Sequence, residues 1–224
     1  MPGSEERPVT TSYRDSVLLG LGVGAWACHQ GCMSRIVTVT LNPALDISTG
    51  VDAVVPDEKL RCDAPALDPG GGGVNVSRAI ARLGGDSRLL VALGGAAGDE
   101  MRALLIAEGL APEDLGVGLA TRQSIAVTDR TSGQQYRFIL PGPEWKTADW
   151  GRAESRSAGT LAEGDILVAS GSLPPGVPAD FWLRVNAAGA PRGVRMILDT
   201  SGPALRAAEA ASATPVAVLR MDRA

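Results

Sequence analysis

Histidine is almost missing from this chain of 224 residues: His29 stands alone, so no histidine cluster can be assembled, and no triad is read around it. Cysteine is scarce as well. Cys28, Cys32 and Cys62 make an odd number with no metal-ligand grouping, which excludes a disulfide framework and a cysteine metal centre. A reduced, cytoplasmic protein is the expectation. Of 21 basic residues only Lys59 and Lys146 are lysines, no basic run occurs, and the net charge is −4. A nucleic-acid partner is therefore not expected.

Long apolar runs are absent too. Residues 17–27 (VLLGLGVGAWA) are too few to cross a bilayer, and Glu5, Glu6 and Asp15 stand where a secretory signal carries positive charge. No membrane association is expected. Gly20, Gly22 and Ala25 fall at a dinucleotide-fingerprint spacing, but no strand precedes them and no patterned helix follows. Residues 1–34 read as an appendage outside the fold, with Met33 a candidate true start. The remainder, at 45% hydrophobic and 21% charged overall, has the make-up of one globular domain with a real core.

What is abundant is glycine, concentrated in residues 68–85 (DPGGGGVNVSRAIARLGG). Four successive glycines are costly in a strand or helix interior, so residues 70–73 read as a loop that lets main chain approach a ligand. Val76, Ala79, Ile80 and Leu83 then fall at i, i+3, i+4 and i+7, the apolar stripe of an amphipathic helix. The loop thus delivers amides to a helix N-terminus, which favours oxygen-rich or anionic ligands. Asn75 adds a donor and an acceptor at the same point.

Buried strands are expected at residues 35–41, 88–93, 165–169, 194–199 and 216–220, and helices at 98–108, 147–161, 179–188 and 204–211. This alternation predicts an α/β fold with a mainly parallel sheet covered on both faces, and ligands beyond its carboxyl edge. Asp46, Ser172 and Asp199 fall just past predicted strands. Asp99 reads as a helix N-cap or first-turn acid rather than a catalytic base. Two inserts break the alternation: 47–67, strand-like, and 123–140, a hairpin turning at Ser132-Gly133.

The glycine run continuing through Asn75, Ser77, Gly84 and Gly94 resembles the first signature of the ribokinase-like (PfkB) carbohydrate kinases. Residues 36–46 (IVTVTLNPALD) are similar to that family's first strand, which ends in an aspartate holding sugar hydroxyls. Residues 59–62, 121–123 and 170–176 resemble its 6-phosphofructokinase branch. Gly72 stands where the 1-phosphofructokinases and tagatose-6-phosphate kinases usually carry lysine. The likeness runs from about residue 35 to 220.

The resemblance implies a ribokinase-like three-layer sandwich, cut short at its C-terminus, in which 35–224 is the substrate-binding portion. It implies that 47–67 and 123–140 form a β-sheet lid that also pairs subunits as a homodimer. The implied reaction is ATP-dependent phosphorylation of fructose 6-phosphate at its 1-hydroxyl, with Mg²⁺ on the nucleotide. Asp46, Gly71, Gly72, Gly73, Asn75 and Ser172 would hold the sugar, Lys59 and Arg122 its phosphate, with Arg61, Gly171 and Asp199 as further candidates. The family's base and anion hole lie past the equivalent of residue 224, so this chain is expected to be an inactive fragment with no catalytic or metal-ligating residue of its own. Plainer roles stay open: Asp46 as a turn cap, Lys59 and Arg122 as solvated charges, Ser172 as a strand-end turn. So do a 1-phosphofructokinase, a tagatose-6-phosphate kinase and a non-catalytic sugar-phosphate-binding protein.

Overall fold

Short runs of Val, Ile and Leu become the strands of the computed structural model, which describes residues 34–211 and 216–220. The expected appendage lies outside these residues, Ser34 apart. In chain order the first elements are β1 (Ile36–Thr40), β2 (Ala44–Val51), β3 (Ala66–Gly70), α1 (Gly72–Arg82), β4 (Arg88–Val91), α2 (Gly95–Ala107) and β5 (Pro112–Asp114). There follow β6 (Arg122–Asp129), β7 (Gln135–Ile139), α3 (Thr147–Thr160), β8 (Ile166–Ser170), α4 (Phe181–Gly189), β9 (Arg195–Asp199), α5 (Gly202–Ala210) and β10 (Val218–Arg220).

Two sheets result. The larger has six strands in the order β10-β9-β8-β1-β4-β5, all parallel, as the expected alternation requires. Its two faces are covered by different helices. Val37, Val39, Leu167, Ala169, Met196 and Leu198 pack against Ala153 of α3, Phe181, Trp182 and Val185 of α4, and Ala204 of α5. Leu89 and Val91 point the other way, onto Val74 of α1 and Met101 and Leu105 of α2. On that second face the row Thr38, Val168, Ile197, Val218 crosses β1, β8, β9 and β10 in register. Thr38 is buried under α1, whereas Val218, at the far end, is 50% exposed. The three-layer arrangement therefore holds over β1 and β4 but thins to two layers over β9 and β10 among the described residues.

The second sheet, order β3-β2-β6-β7, joins β2 and β6 in parallel and β3 and β7 antiparallel at its edges. It is a second, smaller sheet drawn from the two inserts, with limits that differ from those expected. β2 already starts at Ala44, and the interior of the 47–67 insert is not strand: residues 52–65 form a loop, since Pro56 and Pro65 cannot donate to a ladder. The 123–140 hairpin is present, with Gly133 in the left-handed region at φ 69°.

Three helix expectations need correction. α1 begins at Gly72, inside the glycine run, and α2 begins at Gly95. Asp99 is therefore neither N-cap nor first-turn residue but an exposed second-turn acid. The buried side of α1 is Gly73, Val74, Ser77 and Arg78, not the Val76–Ala79–Ile80–Leu83 stripe, and Leu83 is 88% exposed. Polar residues can take the inner face because each is satisfied there. Ser77 Oγ shares a 2.7 Å hydrogen bond with Thr38 Oγ1, and Arg78 donates to Asp68, Glu108 and the Pro69 carbonyl.

Candidate sugar-phosphate site

The glycine run is built for close approach. Gly71 caps α1 at φ 127°, a left-handed value that favours glycine. A Cβ on Gly72 would lie 2.1 Å from Ser170 Oγ and 2.8 Å from the Ser170 carbonyl carbon. Gly73 is buried, its Cβ position 2.6 Å from Thr40 Oγ1. The start of α1 is thus wedged between the carboxyl ends of β1 and β8. Thr40 Oγ1 accepts from the Val74 amide, leaving the Gly72 and Gly73 amides without a partner among the described residues. Asn75, one turn on, is exposed.

Gly72→Ala tests this wedge. Helix propensity alone would favour alanine by about 0.5–1 kcal/mol. Overpacking against Ser170 costs about 1–3 kcal/mol, so a net loss of about 1–2 kcal/mol in urea unfolding is expected. A stabilised variant would show that α1 stands off from β8.

Asp46 is on β2, inside the lid sheet rather than at the end of β1, and its carboxylate lies over Gly70, where a Cβ would come within 2.3 Å of Oδ2. In register it faces Ser124 of β6 and Asp68 of β3. Burial pushes its pKa above the ordinary carboxylate value, while the Ser124 hydroxyl and the Arg122 and Arg137 guanidiniums pull it back. Arg122 opens β6, two residues before Ser124 and so on the same face. Its position is pinned from behind: Thr121 N donates to Gly94 O at 2.8 Å, and Gly94 N donates to Thr121 Oγ1 at 3.1 Å. Apart from a long 3.5 Å contact from Nε to Asn42 O, the Arg122 guanidinium is uncommitted among the described residues.

Two clefts flank this row. One, about 320 Å³, is lined by Asn42, Arg122, Ser172, Pro175 and the 139–142 segment. The other, about 230 Å³, is lined by Asp46, Asp68, Ser124, Gln135, Arg137 and neighbours. An anion and a polyhydroxylated body could sit side by side across them, with guanidinium for the first and carboxylate for the second.

The structure does not bring every expected residue here. Ser172 lines the first cleft and accepts from Asn42 Nδ2 at 3.1 Å. Gly171 N instead donates to Asp199 O, and the Asp199 carboxylate accepts from Ser170 Oγ at 2.9 Å and Arg220 at 2.8 Å. Both are spent on tying β8, β9 and β10 together. Lys59 and Arg61 sit exposed in the 52–65 loop and line neither cleft. Conversely, Asn42, Ser124 and Arg137 were not singled out by sequence. The period-2 pattern of β6 offered one signal, since Ser124 follows Arg122 by two.

The family model of the pfkB family carbohydrate kinases matches the sequence of this chain over residues 39–219. The chain belongs to the pfkB family. Among pfkB relatives, the ATP-dependent 6-phosphofructokinase isozyme 2 of Mycobacterium tuberculosis is 45% identical over 172 residues, covering 77% of this chain and 51% of that protein. A 1-phosphofructokinase of Xanthomonas campestris is 34% identical, covering 82% and 57%. The crystal structure of phosphofructokinase-2 from Escherichia coli in complex with fructose-6-phosphate superposes with a TM-score of 0.73 at 42% identity, covering 79% of this chain and 58% of that one. The chain thus spans little more than half the length of the pfkB proteins it matches. Among the described residues no helix is long and apolar enough to cross a membrane.

Proposed function

We propose that this chain binds fructose 6-phosphate in the cytoplasm and presents its 1-hydroxyl for phosphoryl transfer from ATP, as a 6-phosphofructokinase. The observation that carries the reading is the lid face on which Asp46 and Arg122 stand two register positions apart, each opening into a cleft. Asp46 would accept from sugar hydroxyls, and Arg122, with Ser172 and Asn42 beside it, would take the phosphate. Lys59 and Arg61 would reach the ligand only if the 52–65 loop moved over it. Gly71, Gly72, Gly73 and Asn75 would bring main chain and one amide side chain to the sugar's other edge.

The fructose 6-phosphate branch is favoured by the higher identity to 6-phosphofructokinases and by Gly72, where Ser170 leaves no room for a lysine side chain. Leu67, Tyr136 and Phe138 are exposed lid hydrophobics, and a second copy of the chain would cover them as a homodimer.

Magnesium would arrive on the nucleotide phosphates and neutralise charge there. The described residues include no cluster of three acidic, cysteine or histidine ligands, and Asp199 is already held by Ser170 and Arg220, so these residues do not by themselves fit a metal centre.

Calorimetric titration of residues 1–224 with fructose 6-phosphate and with fructose, beside an ADP-release assay, tests the reading. Saturable binding stronger for the phosphorylated sugar is expected, without ADP release. Of the two carboxylates that line the second cleft, Asp68 is held by Arg78, and Asp46 is the acceptor for the sugar hydroxyls in this reading. Absence of binding to either sugar would sink the proposal, and sugar-dependent turnover would assign the base to a residue of this chain.

A further inference from the structure

Arg137 has no hydrogen bond or ion pair among the described residues. Its positive charge lowers the Asp46 pKa, as the smallest of the influences that act on that carboxyl. On β7 it is paired with Ala126 of β6, which is paired with Ser48 of β2, so its side chain shares the lid face that carries Asp46 and Ser124. Two strand spacings, about 10 Å, separate its backbone from β2, a gap that a long side chain leaning along the sheet can largely bridge. It lines the same cleft as Asp46.

The charges around Asp46 are few. β3 brings Asp68, and α1 brings Arg78, which is spent on Asp68 and Glu108. β6 brings Arg122, at the end of the row that opens onto the other cleft. An incoming phosphate dianion would engage Arg122 and add negative charge beside Asp46. Both changes favour protonating a carboxyl that burial already disfavours as an anion.

Resting on the site assignment above, we propose that Arg137 is a positioning residue that keeps Asp46 ionised and turned into the cleft while Arg122 is occupied by the ligand's phosphate. The two arginines then divide the work: one meets the anion, the other preserves the acceptor for the hydroxyls.

The test compares wild type, Arg137→Gln and Arg137→Lys. In the unliganded protein, the Asp46 carboxyl carbon is followed by NMR across pH. Arg137→Gln should move its titration upward, and Arg137→Lys should restore it. In calorimetric titrations with fructose 6-phosphate, Arg137→Gln should bind more weakly than wild type on the acid side, where the Asp46 carboxyl begins to take up its proton. The gap should close as pH rises and Asp46 ionises without help. An unmoved Asp46 titration overturns the proposal, as does a binding loss equal at every pH, which would mark a structural role or direct ligand contact. Should wild type bind no sugar phosphate, the site assignment falls, and the NMR titration alone decides whether Arg137 controls Asp46.

Discussion

Arg78→Met is expected to destabilise the fold by about 2–4 kcal/mol in urea unfolding at neutral pH. Arg78 is 9% exposed, yet its guanidinium meets the Asp68 carboxylate at 2.8 Å, the Glu108 carboxylate at 2.7 Å and the Pro69 carbonyl at 3.0 Å. Methionine would fill the space and leave all three acceptors unmatched. Breaking a buried ion pair from one side costs about 3–5 kcal/mol. The figure is lowered here because the Asp68 side chain is 61% exposed and can return to water. The effect should depend on acidity. The hydrogen bond from Arg78 holds the Asp68 pKa below its ordinary value, so this stabilisation is complete above that value and fades as pH falls through the depressed one. The gap between wild type and variant should therefore narrow in strong acid, below about pH 4. A gap unchanged from pH 7 to pH 3 would remove Asp68 from the account. Arg82→Ala, one turn along the same helix and exposed, is the control that should change stability little.

Arg122→Ala is expected to weaken fructose 6-phosphate binding by about 1.5–3 kcal/mol, the range for a charge-assisted contact, while leaving fructose binding nearly unchanged. That is a loss of roughly ten- to 150-fold in affinity. The side chain is half-buried and contributes only one long hydrogen bond to the fold, so the variant should keep its melting temperature within a few degrees. Paired calorimetric titrations with the two sugars decide the matter. Equal losses for both would show that Arg122 shapes the cleft rather than meeting the phosphate.

Sequence made the parallel sheet plain, because β1, β4, β8 and β9 are buried runs whose character does not depend on their partners. β5 was missed for the opposite reason. Pro112, Glu113 and Asp114 form a three-residue edge strand without an apolar run, and Glu113 is held by Arg88, a pairing no local pattern reveals. The start of α1 was misplaced because glycine's intrinsic cost is outweighed by contacts with Thr40 and Ser170, far away in the chain. Its buried face was misjudged because Ser77 and Arg78 look like surface residues until Thr38, Asp68 and Glu108 are brought beside them. For the candidate site, the sequence signatures had already singled out Asp46 and Arg122. Gly171 and Asp199 were readable as strand ends, but not as groups already committed, the Gly171 amide to the Asp199 carbonyl and the Asp199 carboxylate to Ser170 and Arg220.

The thinning of the larger sheet sets a gradient of local opening across it. β1 and β4 are clasped between helices on both faces, so breaking their hydrogen bonds means dismantling the core. β10 pairs through only three residues, at an edge, with Val218 half in water. Its amides are the natural place for fast hydrogen exchange and early fraying. Asp199 links that soft edge to the cleft side, since the same carboxylate grips Arg220 and the Ser170 hydroxyl. Each excursion of β10 would loosen the grip on Ser170, under the start of α1. One side of the candidate site thus breathes with the end of the sheet.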